Sequence, residues 1–366
     1  MNIINLLTGI RFPVLFKMLG RNRVTFYPKY IIRLLMLLQN SLISSVLTLV
    51  EKKKFSKTIR EIIIEKPPVF IIGHWRTGST FLHQIINLDP QFTAPSMVQS
   101  VIPDHFLFST QYYVPVMKLL MPKRRPMDEV TLSPFEPQED EFALVRMGSE
   151  SPLEKLIFPK KNKYFLAGYD MYIPKGEKLK MWKQNLLTFY KKITFLTGKQ
   201  IVSKNPFHTM RMSLLADMFP GARFIHIRRH PFEVVPSTQR MWNIVADSNC
   251  LNKNWKKPDI SEVASVLRSF IDYVSHEKQK CGEHQFAEVL FDDLEKDPVK
   301  ELKRIYSELN LEFSEAFERE VNKFLISNKN YTKNIYRITE EEKEIIHSCL
   351  TRSAAVSHLF DLEYGV

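Results

Sequence analysis

The chain has 366 residues, 44% of them apolar, so it can bury a substantial core and is not a disordered segment. Its formal charge of +12 calls for an opposite partner: nucleic acid, an anionic membrane or a multiply charged small ligand. Three scattered cysteines, Cys250, Cys281 and Cys349, form neither a disulfide framework nor a metal-ligand pattern, so a reducing, cytoplasmic setting is expected and no metal is required.

Basic residues cluster only briefly, at Lys52-Lys53-Lys54 and Lys123-Arg124-Arg125, and no nucleic-acid motif is present, so no nucleic-acid partner is expected. Residues 1–55 read as helical and apolar. Leu34 to Val50 carries no charge, but it is short for a span and holds Gln39, Asn40, Ser41, Ser44, Ser45 and Thr48. It is read first as a packed helix, then as a helix lying on a membrane surface, and last as a span. Oligomeric state is not encoded in any pattern of this kind.

Pro68 to Gly73 is a short apolar run behind a Pro-Pro pair, the mark of a strand buried on both faces. A helical pattern follows from Gly78 to Leu88 and stops at Asp89-Pro90. Residues 91–160 are rich in proline and are expected to be irregular, walling a site or forming a lid. Further along, a helix is expected from about Lys178 to Thr197, a strand at Ile201–Ser203, a helix ending at Pro220-Gly221 and a strand at Arg223–Ile227. Helices follow after Pro231 and over Ser261–Lys280, then a strand at Phe286–Phe291 and a helix opened by Pro298. Thr339 with Glu342 makes a capping box for a last helix. Alternating helices and continuously apolar strands predict an α/β fold with a parallel sheet covered on both faces.

The first strand runs into Gly73-His74-Trp75-Arg76-Thr77-Gly78-Ser79-Thr80-Phe81 and then a helix. Such a turn presents backbone N–H groups and the positive end of a helix dipole to an anion. The glycine spacing is that of a Walker loop, except that Ser79 stands where the lysine belongs. Arg76 supplies a cation inside the loop, and Thr77, Ser79 and Thr80 supply hydroxyl donors. A plain glycine turn is the bland alternative, and the crowding of an arginine and three hydroxyls argues against it.

This loop resembles the 5′-phosphosulfate-binding loop of the sulfotransferases: a basic residue, Ser/Thr, Gly, Thr/Ser, Thr and an aromatic, held here by Arg76 to Phe81. Cytosolic members carry lysine and tryptophan at the ends; arginine keeps the charge as a planar fork, and Phe81 keeps a ring for the adenine. Arg229 follows a predicted strand, and Ser237 lies eight residues beyond it. In the sulfotransferases such a pair holds the donor's 3′-phosphate, bidentate grip from arginine and directed hydrogen bond from serine. Phe291-Asp292-Asp293-Leu294 is similar to the family's Tyr-Glu-Asp-Leu segment. The resemblance spans roughly residues 66–310 and is nearest the broad bacterial-type group, which shares Pro137 to Ala143 and Lys204 to His208. The glycine-rich C-terminal donor loop of the cytosolic animal enzymes is not visible.

The resemblance implies a P-loop-like three-layer fold with a central parallel sheet flanked by helices. With no internal repeat and no low-complexity linker in the sequence, one catalytic domain at 56–366 with a helical N-terminal extension at 1–55 is the economical division. It implies 3′-phosphoadenosine 5′-phosphosulfate as co-substrate and sulfuryl transfer to a hydroxyl. Arg76 and Lys204 are the candidates to neutralise the leaving phosphate. In the cytosolic enzymes the catalytic histidine follows a lysine two residues on; here that place is Pro206, and His208 lies further along. His105 and His208 are the first candidates for the base, with Glu139 and Glu141 behind them. Phe106, Phe108, Tyr112, Tyr113, Met117 and Met121 suit an apolar pocket as well as they suit a core. A lipophilic acceptor is therefore expected, a sterol or other lipid alcohol before a phenol or a sugar. A P-loop kinase or ATPase, and a non-catalytic nucleotide- or membrane-binding module, are the rival readings.

Overall fold

The structure, a computed structural model, describes residues 6–22, 28–121, 132–158, 173–251, 257–328 and 338–352. In chain order the elements are α1 (Phe12–Arg21), α2 (Ile31–Glu61), β1 (Val69–Ile72), α3 (Ser79–Ile86), β2 (Phe92–Thr93), α4 (Met97–Val101) and α5 (Phe106–Leu120). Then come α6 (Glu141–Arg146), α7 (Glu154–Ile157), α8 (Glu177–Thr197), β3 (Gln200–Lys204), α9 (Met212–Met218), β4 (Arg223–Arg228) and α10 (Pro231–Asn249). The remainder is α11 (Ile260–Glu277), β5 (Phe286–Leu290), α12 (Phe291–Lys296), α13 (Pro298–Glu308), α14 (Glu315–Ser327) and α15 (Glu340–Leu350).

By internal contacts the chain forms two compact units. One takes residues 66–94, 199–241 and 258–366, and the other takes 1–65, 95–198 and 242–257. The first unit holds the whole sheet, in the order β2-β3-β1-β4-β5, every pair parallel. Val69, Phe70, Ile71 and Ile72 are all fully buried, as a central strand covered on both faces requires. Val69 and Ile71 belong to a core with Leu82, Ile85 and Ile86 of α3 and Leu302 and Ile305 of α13. Phe70 instead stacks on Phe224 at 5.7 Å and meets Phe219 at 6.1 Å. Thus α3 and α13 cover one face, while on the other the 3-10 turn at 206–211 packs on β1, with α9 and α11 against that turn. Side chains follow the pleat, and the carboxyl ends of β1, β3, β4 and β5 run into the segments that carry the site.

In the second unit α2 packs against α1, α5 and α8. Trp182, Leu186, Phe189, Tyr190 and Ile193, on one face of α8, are fully buried.

The expected irregular stretch at 91–160 is corrected: its described residues hold β2 and four helices, among them the fifteen-residue α5. Pro115 lies inside α5, where it removes the bond to the carbonyl of Gln111. Both residues are exposed, so water can serve that carbonyl and the helix continues. The cluster at Lys123-Arg124-Arg125 lies outside the described residues.

Candidate active site

Gly73 leaves β1 at φ +145°, and its N–H donates to the Thr209 hydroxyl at 2.8 Å. That hydroxyl donates back to the Gly73 carbonyl at 3.0 Å, so the loop's entrance is clasped from both sides. Arg76 has φ +68°, a left-handed conformation that costs a non-glycine residue roughly 1 kcal/mol. The strained backbone aims a cation: Arg76 Nε donates to the Ser237 hydroxyl on α10 at 2.9 Å. Gly78 caps α3 at φ +87°, where a Cβ would lie 2.0 Å from the ring of Phe291.

Thr77, expected as a hydroxyl donor to the ligand, spends its Oγ1 on the His74 carbonyl at 2.8 Å and is buried. What it can still offer an anion is the backbone N–H. Ser79 and Thr80 form the first turn of α3, at the positive end of its dipole. Phe81, partly buried against the core, meets Phe291 and Phe324, each at 6.3 Å. Burial carries the His74 imidazole down to about 3, so it is a neutral part of the loop's foundation.

The second anchor follows β4. Arg228 and Arg229 are adjacent but differently committed. Arg228 pairs with Glu288 of β5 at 3.1 Å. Burial alone would raise the Glu288 carboxyl, yet the bond from His226 (2.9 Å) and the nearby Arg228 bring it down to about 2. Arg229 instead pairs with Glu233, one turn along α10, and its guanidinium lies 4.7 Å from the centroid of the Phe291 ring. Phe291 thus wedges against Gly78 and carries Arg229. Lys204 closes β3 in register with Ile71 and is buried to 6% exposure. Arg76, Lys204 and Arg229 therefore gather at the carboxyl end of the sheet beside a helix N-terminus, an arrangement that can hold a ligand with two phosphate groups.

The candidate bases differ in burial. His208 is fully buried, edge-on to Phe70 at 5.6 Å, with Nδ1 3.4 Å from the Asn205 amide nitrogen. His105, in the other unit, is also fully buried, its Nδ1 3.0 Å from the Ser109 hydroxyl. Burial first, and then the charge of Lys192, hold that imidazole at about 3. Glu141 is fully buried and accepts a hydrogen bond from the Ser151 hydroxyl. Asp140, between the two glutamates, accepts from the Tyr190 hydroxyl at 2.6 Å. Glu139 alone of the four keeps partial exposure.

Three features escaped the sequence. Thr209 directly follows His208, the end of the Lys204–His208 segment, so its position beside the site is a signal the sequence carries. Phe291 stands in the sequence only as the first residue of the Phe-Asp-Asp-Leu segment, and nothing local says that it touches Gly78. Lys192 and Glu51 form a buried ion pair, with Lys192 also donating to the Pro103 carbonyl at 2.6 Å. Both lie inside helical patterns that offer no signal for a buried charge.

The sequence profile of the sulfotransferase family matches residues 67–315. The chain is 32% identical over 306 residues to the omega-hydroxy-beta-dihydromenaquinone-9 sulfotransferase Stf3 of Mycobacterium bovis, a match covering 84% of this chain and 79% of that protein. The Mycobacterium tuberculosis Stf3 matches equally, at 32% identity over 84% and 79% of the two chains. In fold it is similar to the sulfotransferase STF9 of Mycobacterium avium, with TM-score 0.68 and 16% identity over 94% of this chain and 97% of the other. STF1 of Mycobacterium tuberculosis gives TM-score 0.58 at 16% identity, over 92% and 90% of the two chains. The matched span encloses the strand, the loop and both anchors described above, and the chain belongs to the sulfotransferase family.

Proposed function

We propose that this sulfotransferase moves the sulfuryl group of 3′-phosphoadenosine 5′-phosphosulfate onto the hydroxyl of a lipid alcohol. The observation that carries the donor assignment is the hydrogen bond from Arg76 to Ser237, which joins the phosphate loop to the second anchor at one end of the sheet. In this reading the loop N–H groups of 76–80 and Arg76 hold the 5′-phosphosulfate, while Arg229 and Ser237 hold the 3′-phosphate. Glu233 and the Phe291 ring fix the Arg229 fork in advance, which spares ordering cost on binding. The bound donor supplies a sulfuryl group on a phosphate leaving group. Arg76 and Lys204 offset the charge that grows on that phosphate.

For the proton of the acceptor hydroxyl we favour Glu139. His105, His208 and Glu141 are closed off from an incoming hydroxyl by complete burial, and an imidazole held near 3 is a weak acceptor at neutral pH. The lipid alcohol is favoured because the Stf3 relatives are named for a hydroxylated menaquinone. A quinone-type lipid alcohol therefore comes before a sterol as the acceptor to try.

Calorimetric titration with adenosine 3′,5′-bisphosphate, and in parallel with ATP and magnesium, tests the donor assignment. The bisphosphate should bind preferentially, and Arg229→Ala should weaken it about tenfold to hundredfold, the worth of a charged hydrogen bond. Tighter ATP binding would overturn the donor assignment. For the base, Glu139→Gln should lower turnover by about 10²-fold or more with bisphosphate affinity kept. Unchanged turnover would remove Glu139 from the role.

A further inference from the structure

The helix α2 is inside out. Its buried residues are Leu34, Leu37, Ser41, Ser44, Thr48, Glu51 and Ile59, so the four inward positions between Leu37 and Ile59 are all polar. Its outward stripe is apolar: Ile32, Leu35, Leu42, Ile43, Val46 and Leu49 are each 48–68% exposed. A helix packed on a water-soluble core shows the opposite pattern.

We propose that this outward face of α2 lies on the surface of an anionic lipid bilayer, its apolar side chains at the boundary between headgroups and acyl chains. Charge names the occupant. Exposed Lys52, Lys53, Lys54 and Lys57 follow the apolar stripe directly on the same helix, and the chain as a whole carries +12. Lysines bordering an apolar helical face are what anionic headgroups attract. The neighbouring α5, packed against α2, repeats the theme: Tyr112, Val116 and Leu119, a turn apart, are 52–83% exposed, with exposed Lys118 beside them. A second copy in the same place would set two strongly basic chains against each other.

The inward face decides between lying on the membrane and crossing it. By length and composition α2 is the one helix among the described residues that could span. Its polar side chains, however, hold the rest of the unit. Asn40 Oδ1 accepts the Gly9 N–H and Ser45 Oγ accepts the Phe12 N–H, each at 2.8 Å. Glu51 accepts the Phe108 N–H at 3.0 Å and pairs with Lys192. A spanning α2 would lose all of these, whereas a surface helix keeps them. This inference stands independently of which acceptor is sulfated.

The test is flotation of the full chain with phosphatidylcholine vesicles, with and without phosphatidylglycerol. The chain should float with the anionic vesicles at least tenfold better than with the neutral ones, less so in high salt, and be released by alkaline carbonate. Leu35→Glu with Val46→Glu, both at exposed positions, should cut flotation at least tenfold while bisphosphate binding persists. Replacing Lys52, Lys53 and Lys54 by Gln should abolish the preference for anionic vesicles. The proposal is overturned if the wild type does not float, or if carbonate fails to release it, which means a span. It is overturned equally by a dimer in solution that Leu35→Glu/Val46→Glu dissociates, since a second copy then covers the face.

Discussion

Gly78 combines a left-handed backbone with a missing Cβ that would lie 2.0 Å from the Phe291 ring. Gly78→Ala therefore meets two costs: the left-handed conformation and displacement of the ring that carries Arg229. Together they should destabilise the fold by about 2–4 kcal/mol in denaturant titration. The same change should weaken the bisphosphate, because Arg229 loses its support. Phe291→Leu makes room, so the double variant should be less destabilised than the sum of the two by about 1 kcal/mol. Strict additivity would mean that the ring is not what forbids a side chain at 78. The residue types of this loop were legible because its chemistry is local: an arginine, hydroxyls and glycines within one turn. Their partners were not legible. Thr209, Ser237 and Phe291 reach the loop only through the pairing of β1 with β3 and β4, and of β4 with β5, which no local pattern encodes.

Elements were legible where one environment governs the whole segment. The strands β1, β3 and β4 are buried almost throughout, and the wholly apolar β1, with the apolar centres of β3 and β4, betrayed them. Between residues 91 and 160 prolines mislead, because α5 tolerates Pro115 on an exposed face. The helix α2 is harder still, since its polar residues point inward. Glu51 is the extreme case. Burial raises its carboxyl and lowers the Lys192 amine, each opposed by the other's charge. Lys192→Met would strand the carboxylate among α2, α5 and α8 and should cost about 3–5 kcal/mol. Lys192→Met with Glu51→Leu removes both charges and should recover most of that loss. If the single variant loses less than about 1 kcal/mol by denaturant titration, water reaches the pair and the dry ion pair described here is wrong.

At the scale of the whole molecule, both units hold groups that resist protonation, and their signs agree. His105 sits at about 3, well below the ordinary histidine value, so its native form binds fewer protons than the unfolded chain at mildly acidic pH. Its contribution is complete above about pH 6.5 and is lost as pH falls toward 3. Between neutrality and pH 5 that loss amounts to about 2 kcal/mol. In the sheet unit, burial likewise lowers His226 and His230. Glu288, held at about 2, adds stability that is present above the ordinary carboxylate range and lost as pH falls through that value. Unfolding free energy measured from pH 8 downward should therefore begin to decline near 6.5, on histidine alone, and steepen below about 4.5, where the unfolded chain protonates Glu288 and the folded one does not. His105→Gln keeps a polar side chain at the site but cannot take up the proton. It should flatten the upper limb by about 2 kcal/mol while leaving the lower limb in place. Identical upper limbs in the two proteins would show that His105 protonates in the native state at little cost, contrary to its complete burial, and would reopen it as the base that accepts the acceptor's proton.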